Sequence, residues 1–413
     1  MIIQKLVMHY SYIILITLVF VVGVLVAILS LLEKVLASQI EATIDRRPSE
    51  YIYNLNQQRI NIKQIKQVVT ILTTIFVTAG IVYLLVKDTY IQGYVIEWLN
   101  LLVRWVHVVA GIMWIGASFY FVFLENNLNR TEGIRDELAG NLWAIHGGGF
   151  YFLEKYKVAP KQLPKTLHWF KYEAYFTWLS GFSLLCVVYY MDAKAFLLDP
   201  QVADISSSTG ILIGIASMAV GWIIYDQMCK SSLVKKQILF AVIGFLILSG
   251  FAYFFTQIFN SRAAYIHVGA VMGTLMAWNV YFVIIPAQKA LVKAAVLGKP
   301  LDPSLGKKAG ERSLHNNYLT LPVIFIMISN HFPSTFGNAY NWLILLGITL
   351  ASAGIKHYWN LKERKVKTKY ILPISIIGML SLAIVSAPVL DQPEESEESV
   401  SFSEVRVIVD THC

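Results

Sequence analysis

RSLHNNYLTLPVIFIMISNH, residues 312–331, sets the whole chain in a membrane. It opens on a polar cluster, Arg312, His315, Asn316 and Asn317, crosses an apolar segment containing Pro322, and closes on Asn330 and His331. As a helix it separates His315 from His331 by about 24 Å at roughly 1.5 Å per residue. A bilayer core is about 30 Å thick, so one segment carries an imidazole near each face of a membrane. Ionisable side chains at that depth are costly and mark a pathway or a cofactor. The plainer alternative is that either histidine caps its helix at the interface.

The rest of the chain agrees with a membrane setting. Of 413 residues 56% are hydrophobic and only 15% charged, against about 25% charged in a soluble domain. Apolar runs fall at about 11–32, 67–86, 97–124, 173–190, 209–225, 238–256, 264–286, 317–331, 340–358 and 370–389. The expected fold is therefore an all-α polytopic membrane protein of about ten transmembrane helices. Residues 1–90, with a polar loop at 34–65, form a two-helix extension, and residues 91–390 form an eight-helix domain. The net charge of +8 resides in loops between apolar runs, which fits cytoplasmic loops against membrane lipid and gives no reason to expect nucleic acid. The basic loops at 230–236, 287–312 and 356–369 are expected inside, and both termini outside.

Sorted by face, His107, His267 and His331 fall toward the outer side, and His146, His168, His315 and His357 toward the inner. In RWVHVVAGIMWIGASFYFV, residues 104–122, His107, Gly111, Trp114 and Ser118 share one helical face. In AYIHVGAVMGTLMAW, residues 264–278, His267 precedes Gly269 and Gly273. The two segments read as weak repeats. A histidine above a glycine-smoothed face suits a flat macrocycle, so His107, His267 and His331 are expected to ligate haem iron as haem b. Arg104 is expected to meet a propionate. Helix packing by the glycines and hydrogen bonding by the histidines is the structural alternative.

The inner loop holds NLWAIHGGGFYF, in which His146, Gly147 and Gly148 bring backbone amides close to a ligand, beside His168 and several aromatic residues. Together with Arg312, His315, Asn316 and Asn317 these groups suit a planar, polar, anionic molecule. A turn and a membrane aromatic belt would leave the same signals. Residues 391–401 are an acidic linker. FSEVRVIVDTHC, residues 402–413, ends on Cys413, as a c-type haem segment begins.

HVVAGIMWIGASFYF (107–121), WAIHGGGFY (143–151), LHWFKYEAYFTWLSG (167–181), RAAYIHVGAVMGTLMAWNVYFVIIPAQ (262–288) and residues 312–331 resemble the membrane domain of the bacterial membrane-bound urate oxidase (urate hydroxylase) family. The resemblance runs from about residue 95 to the end, leaving the first two helices outside it. It implies oxidation of urate to 5-hydroxyisourate, with electrons leaving to a cytochrome c domain or a soluble cytochrome. Residues 402–413 then resemble the opening of that domain, cut at Cys413, with haem c beyond it. On this reading His315 or His146 takes a proton from urate, Arg312 holds the anion, and Asn316, Asn317, His168, Gly147 and Gly148 bind it. The expected setting is a bacterial inner membrane with the C-terminus on the periplasmic side. Two rival readings are a cytochrome b-like electron-transfer subunit without substrate chemistry and a transporter whose histidines relay protons.

Overall fold

The computed structural model describes residues 2–44, 48–86, 89–160, 162–164, 166–387, 401–403 and 405–406. Cys413 and most of the expected linker and cytochrome segment lie outside the described residues. The order is α1 (Ile2–Thr43), α2 (Ser49–Val86), α3 (Gln92–Asn127), β1 (Leu138–His146), β2 (Gly149–Tyr156), α4 (Tyr172–Leu185), α5 (Ala193–Phe196), α6 (Ser207–Lys230), α7 (Gln237–Thr256), α8 (Ser261–Trp278), α9 (Ile285–Val296), α10 (Pro303–Ser329), α11 (Pro333–Phe336), α12 (Asn341–Glu363) and α13 (Ile371–Val385).

Each of the ten expected apolar runs has a helix at its centre. By length and composition, five helices among the described residues can cross a membrane. They are Val22–Thr43 of α1, α3, α6, α7 and the continuous rod Ser261–Val296; α13 is a shorter apolar helix. α10 and α12 fall outside that set because they bury polar side chains inside the bundle, including Arg312, Asn316, Asn317, Lys356 and Asn360. Those groups lower mean hydropathy without facing lipid. The 34–65 segment, expected as a polar loop, is mostly helical: α1 and α2 extend through it and are tied by Lys66 to Glu33 at 2.7 Å.

α8 is the central helix. It packs against α4, α6, α7 and α10, and its Ala263, Ala264, Val268, Val271 and Met272 are buried with Phe255, Phe259 and Ile326. Small residues let the backbones approach. A Cβ added at Gly269 would meet Ile326 Cγ2 at 2.7 Å, and one at Gly221 would meet Val271 at 2.8 Å. Two helices widen to a π-turn, at Cys186–Tyr190 and Asn279–Ile284. The second precedes Pro286, which has no N–H to donate to the helix.

The bundle has two distinct ends. At one, Asn260 Oδ1 accepts from Ala263 N at 2.8 Å to cap α8, while its Nδ2 donates to Phe196 O at 2.7 Å. Tyr265 Oη donates to Asn341 O at 2.6 Å there. The other end gathers the basic loops. Asn126 of α3 donates to Glu363 of α12 at 2.7 Å, and Asp302 caps α10, its carboxyl held below the usual carboxylate range chiefly by the Ser304 hydroxyl.

The inner loop expected between the third and fourth runs is a β-hairpin. β1 and β2 pair antiparallel, with His146 opposite Gly149. Gly147 and Gly148 form the two-residue turn with φ of +58° and +80°. Two successive positive φ angles match the twist of a hairpin and favour glycine at both positions.

Candidate functional site: a cavity and two polar clusters beside α10

A cavity of about 340 Å³ lies between α3, α4, α8 and α10. His107, Gly111, Gly181, Gly273 and His331 line it, with Arg104 and Arg262. His107 Nδ1 is 3.0 Å from the Thr177 carbonyl and 3.1 Å from Ser180 Oγ. A carbonyl only accepts, so Nδ1 carries the hydrogen and Nε2 keeps its lone pair. That is the arrangement of a ligating imidazole, with its second nitrogen tied down by backbone. Gly181 is required where His107 packs: a Cβ there would meet the ring at 2.9 Å. Gly111 and Gly273 have nothing within 4 Å of an added Cβ, so their missing side chains leave open space.

His331 follows the end of α10, exposed, and its ring has no hydrogen-bond partner among the described residues. Arg104 donates to Asn100 at 3.0 Å and Arg262 to Asn330 at 3.4 Å. Neither guanidinium has a carboxylate within ion-pair distance among the described residues. Two imidazoles, two acid-free guanidiniums and an otherwise largely apolar lining fit a haem with its propionates. Arg262 was not expected from the sequence, although SRAAYIH puts it five residues before a singled-out histidine.

His267 does not belong to this set. Its Nδ1 donates to Ala263 O at 2.8 Å and its Nε2 accepts from Tyr190 Oη at 3.0 Å. It is fully buried against Phe255 and Phe259 and is not on the cavity wall. With both nitrogens partnered it joins α8 to the π-turn after α4, and the expectation of a third haem ligand gives way to a core histidine.

At the basic end, α10 has two different polar sides. On the first, Arg312, 2% exposed, donates to Asp226 at 2.6 Å and to Asn279 Oδ1 at 3.0 Å. Asp226 also takes Lys230 at 2.5 Å. Asn279 Nδ2 reaches Asn316 Oδ1 at 2.8 Å and Tyr225 Oη at 2.9 Å, and Asn316 donates to Met276 O at 2.9 Å. Tyr225 pairs with His315 Nδ1 at 2.8 Å, and the imidazole stacks on Phe240 at 4.8 Å. The charge of Arg312 is met inside this network. Arg312 and Asn316, expected to hold an anion, instead fasten α10 to α6 and α8.

On the second side, Asn317 donates to Asn360 Oδ1 at 3.0 Å. Asn317 Oδ1 and Asn360 Nδ2 are buried without a hydrogen-bond partner among the described residues. Lys356, one turn before Asn360, is 7% exposed and lies over the Phe119 ring at 3.9 Å. No ion pair or hydrogen bond reaches its Nζ among the described residues. The cation–π contact is worth about 2 kcal/mol when desolvated, less than the several kcal/mol that burying an ammonium costs.

The remaining expected residues stand apart. His146, Gly147 and Gly148 are exposed at the hairpin turn, and no hydrogen bond or ring contact joins them to Arg312 or His315. His168 is exposed and touches Phe170, ring to ring at 4.6 Å.

Residues 93–387 match a family model described as urate oxidase N-terminal. No curated protein and no solved structure matches the chain.

Proposed function

The chain belongs to the urate oxidase N-terminal family, and from that premise we propose that it is a membrane-bound enzyme that oxidises urate to 5-hydroxyisourate and delivers the electrons, by way of haem, to a c-type cytochrome. Urate and one water give 5-hydroxyisourate, two protons and two electrons, so the acceptor is part of the reaction.

The observation that carries the haem assignment is the cavity whose wall holds His107, His331, Arg104 and Arg262, all within the matched residues. His107 and His331 would hold haem b, and the two guanidiniums would meet its carboxylates. When bound, haem supplies one-electron redox chemistry. The Thr177 carbonyl fixes the His107 tautomer, and Gly111 and Gly273 keep the space open. The apolar remainder of the wall excludes water, which strengthens every charge interaction inside it. Among the described residues His315 Nε2 has no partner at the basic end, and it would carry the released protons toward solvent there. The positive-inside rule makes that end cytoplasmic. The c-type cytochrome that takes the electrons would then lie on the periplasmic side.

Absorbance spectra of the purified chain, taken without oxygen before and after urate, test the reading. Haem bands that reduce on urate addition are expected. A haem reduced by dithionite but not by urate would turn the assignment to an electron-transfer subunit. A preparation without haem would remove the roles given to His107 and His331. Uptake of purine into vesicles with no oxidation would mark a transporter.

A further inference from the structure

Among the described residues, the polar cluster between α3, α10 and α12 brings together a buried lysine and two buried amide atoms that lack a hydrogen-bond partner. No carboxylate among those residues is in ion-pair contact with Lys356, since Glu363, two turns on along α12, acts on it only at longer range and accepts from Asn126. Asn317 and Asn360 leave one acceptor and one donor unpaired. Buried polar atoms are almost always partnered, and an orphaned pair beside an unmatched cation has a definite complement. That complement is a planar molecule with a negative charge and an edge presenting an N–H next to a C=O.

The cluster continues a polar stripe on α12. Thr349, Ser352, Lys356 and Asn360 follow one another at spacings of three or four residues, and all are buried. It also stands close to the cavity. Ile115 of α3 and Thr320 of α10 line the cavity, and Phe119 and Asn317 come one helical turn further toward the basic end on the same two helices.

Resting on the urate-oxidising function proposed above, we infer that Lys356, Asn317 and Asn360 form the subsite that anchors the substrate. The Lys356 ammonium meets the anionic ring, while Asn317 Oδ1 and Asn360 Nδ2 read a cis-amide edge of the purine. Urate, a monoanion at neutral pH whose rings carry such edges, satisfies all three groups together. The substrate would then sit next to the inner end of the cavity that holds the imidazoles. Arg312, whose charge is already met by Asp226, stays in the frame of the bundle.

The test is equilibrium binding of urate and of its monomethylated forms to the full chain in detergent, without oxygen. The variants are Lys356→Met, Lys356→Arg, Asn360→Leu and, as a control for surface charge, Lys362→Met. Lys356→Met is expected to weaken urate binding at least about tenfold while melting no lower than the parent. Lys356→Arg should recover part of the loss, and Lys362→Met should bind as the parent does. The parent should discriminate among the monomethyl urates, rejecting the isomer whose methyl blocks the edge, and Asn360→Leu should lose that discrimination. Parental affinity in both Lys356→Met and Asn360→Leu, or equal binding of every methyl isomer by the parent, overturns the subsite and leaves urate oxidation standing. Failure of the parent itself to bind urate overturns the reading on which the subsite rests. The parental selectivity decides the matter even where a variant does not fold.

Discussion

Asn316 and Asn317 are neighbours in sequence, yet they face two regions of opposite character. On the Asn316 side, Arg312, Asp226, Asn279 and Tyr225 close into a network in which each charge has an opposite charge and each amide has partners. On the Asn317 side, among the described residues, a lysine is buried with no acid in ion-pair contact, and two amide atoms have no hydrogen-bond partner. The same division separates His267, with both ring nitrogens engaged, from His107, with one engaged and one available. A buried polar group does structural work where it is fully partnered, and points to a missing molecule where it is not. Residue type alone does not separate the two cases.

The largest expected effect comes from opening the closed network. Arg312→Ala strands the Asp226 carboxylate against Lys230 alone, and should destabilise the chain by about 3–5 kcal/mol. The measurement is the melting temperature of the detergent-solubilised protein. Replacing the pair together, as Arg312→Met with Asp226→Leu, removes both charges and should restore most of that loss. A double variant no better than the single one would show that the network does more than balance charge.

The two histidines give the next contrast. His267→Ala leaves a hole in the core and an unpaired Tyr190 hydroxyl, and should cost about 2–4 kcal/mol without removing a ligand. His107→Ala removes a partly exposed ring, so its thermal effect should be smaller while the haem absorbance is lost. If His267→Ala is the variant that abolishes haem binding at unchanged stability, the assignment of the two imidazoles is reversed.

Filling the cavity sharpens the distinction between open and closed glycines. Gly273→Leu enters space with nothing within 4 Å of an added Cβ, so it should fold and exclude haem. Gly269→Leu meets Ile326 at once and should cost stability, by roughly 1–3 kcal/mol as overpacked cores do. Pigment content against melting temperature separates the two. A Gly273→Leu protein with full haem absorbance would move the cofactor elsewhere.

Much of this was legible in the sequence, and the parts that were not have physical reasons. Apolar runs located the helices, since length and composition decide whether a segment crosses a bilayer. His107, His331 and Arg104 stood out because ionisable groups are rare at that depth. His107 and His267 could not be told apart, because the difference lies in whether another helix brings up a hydroxyl, as Tyr190 does. In the sequence Lys356 opens the basic 356–369 stretch, which by itself carries no mark of burial. Its place in a stripe with Thr349, Ser352 and Asn360 was a signal of inward-facing polarity, since these positions share one helical face. The hairpin hides behind its glycine run, although NLWAIH and FYFLEKY flank the glycines with strand-forming residues.

The smallest expected effect tests that hairpin. If Gly147 and Gly148 serve the turn, Gly147→Ala puts a Cβ on a residue with φ of +58°, at a cost of about 1 kcal/mol confined to the turn. Urate binding and haem reduction should be unchanged, and His146→Ala should be equally silent, because neither residue touches the cavity or the α10 clusters. Limited proteolysis at the hairpin, compared with urate affinity on the same samples, reads both consequences. A loss of urate affinity in Gly147→Ala would mean that the glycine amides cradle the substrate after all. The hairpin would then have to fold over the basic end when urate binds, and the contrast between the two sides of α10 would describe the resting protein alone.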